Sequence, residues 1–424
     1  MEITIIGGAR EVGKTCLLVE EDGKRFILDC GVKLDSNNGS EYPPLEDFMR
    51  EGVDAVFLTH AHLDHSGALP LIPKYYEKVP VYGTAPTFSL TELLLEDFIK
   101  VNAYVCPFDW IDVMDFMKSR HFVKYRKELN IKGVKVRFLN AGHILGSASI
   151  VLDFNGKRIV YTGDINTIET RLLKPADLNW GKVYCVISES TYATILHPDR
   201  KMLERKFVED VERVCESGGK VLVPAFAVCR SQEIMCILAK YNIPYKVYVD
   251  GMARYAIEIL DRYPRYMRDH DEYAYAVKKT TIVGNWRHRR KIIKLDEPCV
   301  IIASSGMLKG GVSRFYLEKL YDDPNNAIFL VGYQVENTPG RKLLDTGKID
   351  IEDVEVDVEA DVGFYDFSSH TDGKGLEEIF KRNTPEKAII VHGEEENVKF
   401  LAKKLEEDFG VESFAPKNLD VIRC

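Results

Sequence analysis

The chain has 424 residues, of which 45% are hydrophobic and 29% charged, and a formal net charge of −9. That length suits two or three domains with large cores, and no apolar run reaches the ~20 residues of a membrane span. The N-terminal MEITIIGGAR lacks the basic and apolar regions of a signal peptide, and the nine cysteines include no C-x-x-C pair, so a reducing, cytoplasmic setting is expected. With this acidic balance, a nucleic-acid partner needs a local basic patch.

The first element poses a question. Residues 8–15, GAREVGKT, match G-x-x-x-x-G-K-[ST], the loop that cradles nucleotide phosphates. Such a loop has to open a helix whose N-terminus faces the phosphates. Asp22-Gly23 is a hairpin signal and leaves about eight residues for that helix, where about 10–12 are needed. Residues 16–20 and 25–28 are β-type runs. The segment therefore reads as strand, turn, strand, hairpin, strand, and no nucleotide cofactor is expected.

Further along, residues 55–59, 134–139, 149–154, 158–161 and 184–188 read as strands, and residues 86–102 and 110–129 as helical. Asn155-Gly156 marks a second hairpin. From about residue 198 the rhythm changes. A charged amphipathic helix over 199–216, an apolar run at 220–224, a helix over 229–240, strands at 245–249, 299–303 and 327–331, and a helix near 312–320 follow one another. Apolar strands alternating with helices predict a parallel α/β sheet. Alternation returns around 349–367, and a helix, a strand at 387–391 and a helix close the chain. The organisation expected is a β-rich domain interrupted by an inserted α/β domain.

The strongest chemical signal is T-H-A-H-L-D-H at 59–65, directly after the apolar AVFL strand. His60, His62, Asp64 and His65 fall within six residues of a chain that has ten histidines in all. A strand ending in this turn can aim two imidazoles at one metal ion and a carboxylate plus an imidazole at a second, and both donor types suit zinc. His143 in A-G-H-I-L-G-S and Asp164 in Y-T-G-D each follow a predicted strand beside glycines. Either completes a ligand set or serves as a loop cap; an aspartate at 164 has two oxygens with which to bridge two ions.

L-D-C-G (Asp29), H-A-H-L-D-H, His143 and T-G-D (Asp164) together resemble the four sequence motifs of the metallo-β-lactamase fold. S-E-S-T-Y (Glu189), F-S-S-H-T-D (His370) and I-V-H-G-E (His392) are similar to the three further motifs of the β-CASP nucleases. S-S-H-T-D, A-S-S-G-M and V-G-Y-Q resemble the endonuclease subunit of the cleavage and polyadenylation specificity factor and its archaeal homologues more than bacterial ribonuclease J. The resemblance implies an αββα sandwich over 1–192 and 367–424, with a β-CASP α/β domain, a parallel sheet flanked by helices, inserted at 193–366. It implies two Zn2+ ions, one held by His60, His62 and His143, the other by Asp64, His65 and His392, with Asp164 bridging. Asp29 supports the ligand loop from behind. Asp64, Glu189 and His370 are then the residues expected to be catalytic: water activated between the metals attacks a phosphodiester, and His370, oriented by Glu189, protonates the leaving oxygen.

The expected substrate is RNA, single-stranded, cut by an endonuclease with or without 5′–3′ exonuclease activity, in a chain that acts as a homodimer or within an RNA-processing complex and has no membrane partner. Arg287, Arg289 and Arg290 beside Trp286 form a basic run suited to phosphates, or a solvated face. Ser304, Ser305, Ser368 and Ser369 are small polar groups suited to positioning a backbone phosphate. Two other readings stand beside this one, a small-molecule metallo-hydrolase on the same fold and a non-catalytic subunit of an RNA-processing complex. The long insertion disfavours the first and the intact ligand set the second.

Overall fold

The structure is a computed structural model that describes residues 1–424 except 36–38, 77 and 103–104. It divides into two compact units, one of Met1–Glu169, Lys174–Leu196 and Ser369–Cys424, the other of Thr170–Leu173 and His197–Ser368.

In the first unit, period-two alternation builds two stacked seven-stranded sheets. Across one sheet run Val421–Arg423, Glu2–Gly7, Cys16–Glu21, Lys24–Leu28, Ala55–Phe57, Val81–Thr84 and Arg120–Val123. Across the other run Glu412–Phe414, Lys387–Ile390, Cys185–Ser188, Lys157–Tyr161, Ala148–Phe154, Val134–Asn140 and Leu129–Ile131. Ile3, Ile5, Leu17, Val19, Phe26 and Phe57 from the first sheet meet Val136, Phe138, Ile150, Leu152, Ile159 and Ile187 from the second in one buried core. The alternate residues face outward into two further cores. Ile6, Leu18, Ile27 and Val56 pack under helices Ala85–Asn102 and Trp110–Lys118. Val151, Val160, Val186 and Ile390 pack under helices Gly373–Asn383 and Glu395–Phe409. The result is the four-layer αββα sandwich. Fully burying one such aliphatic side chain contributes about 1.5–3 kcal/mol, so these three cores are the main support of the unit.

What positions the site is strand direction. Lys157–Tyr161, Cys185–Ser188 and Lys387–Ile390 are parallel neighbours, as are Lys24–Leu28 and Ala55–Phe57. The loops at the C-terminal ends of these five strands carry Asp164, Glu189, His392, Asp29 and His60. Side chains far apart in sequence therefore emerge at one edge, as open α/β sheets favour.

The second unit holds a six-stranded sheet ordered Thr280–Ile282, Lys246–Asp250, Cys299–Ala303, Lys220–Pro224, Ala327–Leu330 and Asp361–Phe364, every pairing parallel. Its central strands are near-continuous apolar runs, as a sheet covered on both faces requires. Residues within 349–367 form the antiparallel pair Lys348–Ile351 and Val354–Asp357, then the edge strand Asp361–Phe364.

One predicted element is corrected. The helix expected over 110–129 stops at Lys118, and Arg120–Val123 is a strand parallel to Val81–Thr84. Asp109 caps the helix start with a capping box. Beyond it, the unpaired edge of Val81–Thr84 offers backbone partners to a β-favouring Phe-Val pair, and tertiary pairing overrides helical propensity. By contrast, residues 8–15 form a loop between the strands Glu2–Gly7 and Cys16–Glu21, with the hairpin at Asp22-Gly23, as read from the sequence. Among the described residues no helix is long and apolar enough to cross a membrane.

Candidate metal centre

Asp164 sits at the middle of the assembled side chains, 2% exposed. Its Oδ2 lies 3.3 Å from His60 Nε2 and 3.4 Å from His143 Nε2. Its Oδ1 lies 3.1 Å from His65 Nε2 and 3.5 Å from His392 Nε2. His62 Nδ1 stands 3.0 Å from His143 Nε2, and His392 Nε2 stands 3.7 Å from Asp64 Oδ2. Two groups of donor atoms result, His60/His62/His143/Asp164 and Asp64/His65/Asp164/His392, each with its atoms within 4.8 Å of one another. They share the Asp164 carboxylate.

Four of the rings are held from behind. His65 Nδ1 donates to Asp29 Oδ2 at 2.7 Å, and His143 Nδ1 donates to the Ser369 carbonyl at 3.0 Å. His60 Nδ1 lies 3.0 Å from Thr59 Oγ1, which itself donates to Asp29 Oδ2 at 2.7 Å. His392 Nδ1 lies 2.9 Å from Thr15 Oγ1. With the Nδ1 proton engaged in each of these rings, the Nε2 lone pair faces the centre, the usual arrangement behind a metal-ligating imidazole. Asp29 is a hub: it also accepts from Thr59 N at 2.7 Å and Tyr161 OH at 2.8 Å. Asp29 and His392 both hold left-handed backbone, at φ +57° and +47°. Their amides donate to Phe57 and Gly8 carbonyls, which fixes this uncommon conformation.

These residues fit metal ions. His60 Nε2, His65 Nε2, His392 Nε2 and Asp164 Oδ1 are buried and have no hydrogen-bond partner among the described residues. Orphaned buried polar atoms are costly, and a cation shared among them removes that cost. Burial and the neighbouring His60 pull the His62 pKa down to about 3. Burial and His370 hold His143 well below the imidazole range, and burial likewise lowers His392. Burial opposes charge on His65 too, but the Asp164 and Asp29 carboxylates outweigh it and hold its pKa well above the imidazole range, so it has to give up a proton on ligation; neutral imidazole is the ligating form.

Beside the two groups lies a third pair. His370 Nδ1 donates to Glu189 Oε2 at 2.7 Å, and its Nε2 lies 3.8 Å from Asp164 Oδ2. Glu189 is anchored by accepting from Ile165 N at 2.6 Å. Burial opposes charge on His370, but the Glu189 and Asp164 carboxylates outweigh it and push its pKa up to about 9.

All ten side chains expected at or behind the metals and at the acid position come together in the first unit. Of the residues expected to touch RNA, Ser369 lies in this unit, its carbonyl accepting from His143. Ser304, Ser305, Ser368, Arg287, Arg289 and Arg290 belong to the second unit. There Ser304 Oγ accepts from Met252 N, and Ser305 Oγ donates to the Gly310 carbonyl. Arg289 departs from the expectation of a free basic run. Its guanidinium forks onto buried Asp250 at 2.7 and 2.9 Å, which Tyr316 OH also contacts, so it is committed to the fold. Arg287 and Arg290 remain exposed on helix Trp286–Lys294, and Arg290 lies over the Trp286 ring at 5.3 Å.

Sequence reasoning missed Thr15, Thr59 and Tyr161. Thr15 carries one signal in the sequence, as the last letter of the phosphate-loop pattern. The loop that mimics that pattern packs behind the centre: Thr15 N donates to the Asp64 carbonyl, His392 N donates to the Gly8 carbonyl, and Lys14 pairs with Glu41 at 2.6 Å.

Comparison with known proteins gives the family. The Metallo-beta-lactamase superfamily model matches residues 9–223, the Beta-Casp domain model residues 231–343, and the Zn-dependent metallo-hydrolase RNA specificity domain model residues 355–416. An RNase aCSPSF2 of Saccharolobus solfataricus is 41% identical over 98% of this chain and 84% of its own length. A probable RNase of Methanocaldococcus jannaschii is 38% identical, with the whole of both chains aligned at 100%. The transcription termination factor FttA of the same organism is 36% identical over 100% of this chain and 72% of its own. A crystal structure of a protein of unknown function from Enterococcus faecalis shares the fold at 13% identity, with a TM-score of 0.63 over 99% of each chain. The matches extend over nearly the whole sequence, and the chain belongs to the metallo-beta-lactamase superfamily, in its β-CASP branch of metallo-hydrolases.

Proposed function

We propose that this protein is a zinc-dependent ribonuclease that hydrolyses RNA phosphodiester bonds, as an endonuclease with or without 5′–3′ exonuclease activity, in RNA processing, 3′-end maturation or decay. The observation that carries the reading is the Asp164 carboxylate, set between two His/Asp groups with the His370–Glu189 pair at its side. The RNA specificity domain match and the RNase names of two relatives support RNA as the substrate class.

In this reading His60, His62 and His143 would hold one ion and Asp64, His65 and His392 the other, with the Asp164 carboxylate common to both donor groups. Imidazole and carboxylate donors suit Zn2+. Two such ions, when bound, lower the pKa of water and neutralise charge developing on phosphate oxygens. The chain's own residues do the rest. Asp29, Thr59 and Thr15 fix the imidazole tautomers and ring planes. His370 carries the proton for the leaving oxygen on Nε2, because Nδ1 is committed to Glu189. Glu189 keeps the imidazolium charged until transfer and supports it electrostatically. A general acid of this kind is worth roughly 10²–10⁴ in rate. Nine cysteines outside any disulfide, most of them buried, support a reducing compartment, the cytoplasm.

The test is incubation of the purified chain with 5′-labelled and internally labelled single-stranded RNA, with and without a chelator. Chelator-sensitive fragments of defined length support the reading. RNA left intact beside efficient hydrolysis of a small phosphodiester or ester would overturn it in favour of a small-molecule hydrolase.

A further inference from the structure

A second concentration of chemistry lies away from the metal centre. On the outer face of the second sheet of the sandwich is a polar cavity of about 340 Å³, lined by Glu128, Lys135, Arg137, Asp153, Arg158 and the Trp180 backbone region. Strand pairing makes its floor: Lys135 pairs with Asp153, Asp153 with Arg158, and Arg137 with Val151, so these side chains share one face across three strands.

The charges in this cavity are not balanced. Both Asp153 oxygens are committed, Oδ2 to Arg158 at 2.9 Å and Oδ1 to Gly156 N at 2.7 Å. Arg158 uses one terminal nitrogen on Asp153 and the other on the Trp180 carbonyl at 2.9 Å, and its buried Nε has no hydrogen-bond partner among the described residues. Glu128 approaches Lys135 no closer than 4.0 Å. The half-buried Arg137 guanidinium has no hydrogen bond or ion pair among the described residues, although it lines the cavity. Such a group, partly shielded from water and unmatched, favours an anion. Around it, residues 124–137, KYRKELNIKGVKVR, carry six cations and one carboxylate in a chain of net charge −9. Arg137 lies in the middle of strand Val134–Asn140 and Arg158 near the start of strand Lys157–Tyr161, each six residues before a proposed ligand, His143 or Asp164, in the loop that follows its strand. At ~3.3 Å per residue, the three strand residues that follow each arginine alone carry the chain roughly 10 Å toward the metal centre.

We propose that this cavity binds phosphate oxyanions, and that its occupant is the backbone of an RNA whose scissile bond lies at the metal centre. Arg137 and Lys135 supply the two charge-assisted contacts, and the surrounding cations draw the strand in. The proposal rests on the ribonuclease reading for its substrate.

The test uses the full chain, treated with chelator so that RNA stays intact, and measures fluorescence anisotropy with 6- and 30-nucleotide single-stranded RNAs across a salt series. The double variant Arg137→Gln/Lys135→Gln should bind the long RNA several-fold more weakly. Its salt slope should be shallower by about 1.4, two phosphates at ~0.7 each, while binding of the short RNA is unchanged. Lys135→Gln alone, at an exposed position, should show about half of that slope change. Equal affinity and slope for wild type and double variant on the long RNA would overturn the proposal. So would thermal protection of wild type, but not the variant, by inorganic phosphate when RNA binding is unaffected, since the site would then serve free phosphate. Zinc-loaded wild type that fails to cleave RNA while the binding difference persists would leave this site standing and remove the nuclease reading instead.

Discussion

Thr15 Oγ1 and His392 Nδ1 lie 2.9 Å apart, joining residues 377 positions apart in the sequence. The same threonine donates its backbone N–H to the Asp64 carbonyl and accepts at its own carbonyl from Gly31 N. Residues on three loops that carry or support one proposed metal site thus converge on the final residue of a sequence that mimics a phosphate-binding loop.

Thr15→Ala should therefore weaken metal binding at the site of Asp64, His65 and His392 by about 10–100-fold, the usual effect of removing a partner behind a ligating histidine. Thr15→Ser should restore it. Zinc affinity measured against a competing chelator reads this directly, and an unchanged affinity in Thr15→Ala would make the contact a packing accident.

Lys14, by contrast, should be dispensable. It is paired with Glu41 on a partly exposed surface, where an ion pair contributes about 0–1 kcal/mol. Lys14→Ala should leave RNA cleavage within a few-fold of wild type, and ATP should bind no better than millimolar. Tight ATP binding that disappears in Lys14→Ala would reinstate the nucleotide loop.

At the acid, His370→Ala should retain both metal ions and RNA affinity while cleavage falls by roughly 10²–10⁴. Glu189→Gln should fall less, because the proton donor survives. A substrate with sulfur as the leaving atom needs little protonation and should partly rescue His370→Ala. Loss of a metal ion in that variant would instead make His370 a ligand.

The arginines of helix Trp286–Lys294 should separate. Arg289→Ala leaves the buried Asp250 carboxylate without its cation, and breaking such a pair is destabilising; melting should drop by several degrees. Arg287→Gln/Arg290→Gln should leave melting unchanged and flatten the salt dependence of RNA binding by about 0.7 for each phosphate that the guanidinium groups no longer neutralise. If that slope does not move, the two side chains belong to a solvated face.

Much of the fold is legible in the sequence because burial follows period. Ile3, Ile5, Leu17 and Val19 alternate with Ile6, Cys16 and Leu18 between two cores, and the apolar runs of the second unit are the strands of a sheet covered on both faces. The segment after Lys118 reads as helix from its own residues because its strand exists only where the neighbouring edge accepts it. Residues that assemble in the site are visible where chemistry is rare and clustered, as in three histidines within six positions. Thr59 and Tyr161 are not, since a hydroxyl that supports a ring or its carboxylate partner from behind leaves no pattern in composition or spacing, and Thr15 shows only as the last letter of a pattern that points to other chemistry. Arg289 looks like its neighbours in sequence, and only the buried Asp250 opposite tells them apart.

The central claim is that the two His/Asp groups joined at Asp164 hold two zinc ions that are needed together to cut RNA. The most direct measurement is the RNA cleavage rate of metal-free protein as zinc is added by the equivalent. The account predicts negligible cleavage without zinc, a rate that climbs until two ions are bound per chain, and no recovery at any zinc level in Asp164→Ala. Full activity in the metal-free protein, or saturation at a single equivalent, would contradict it.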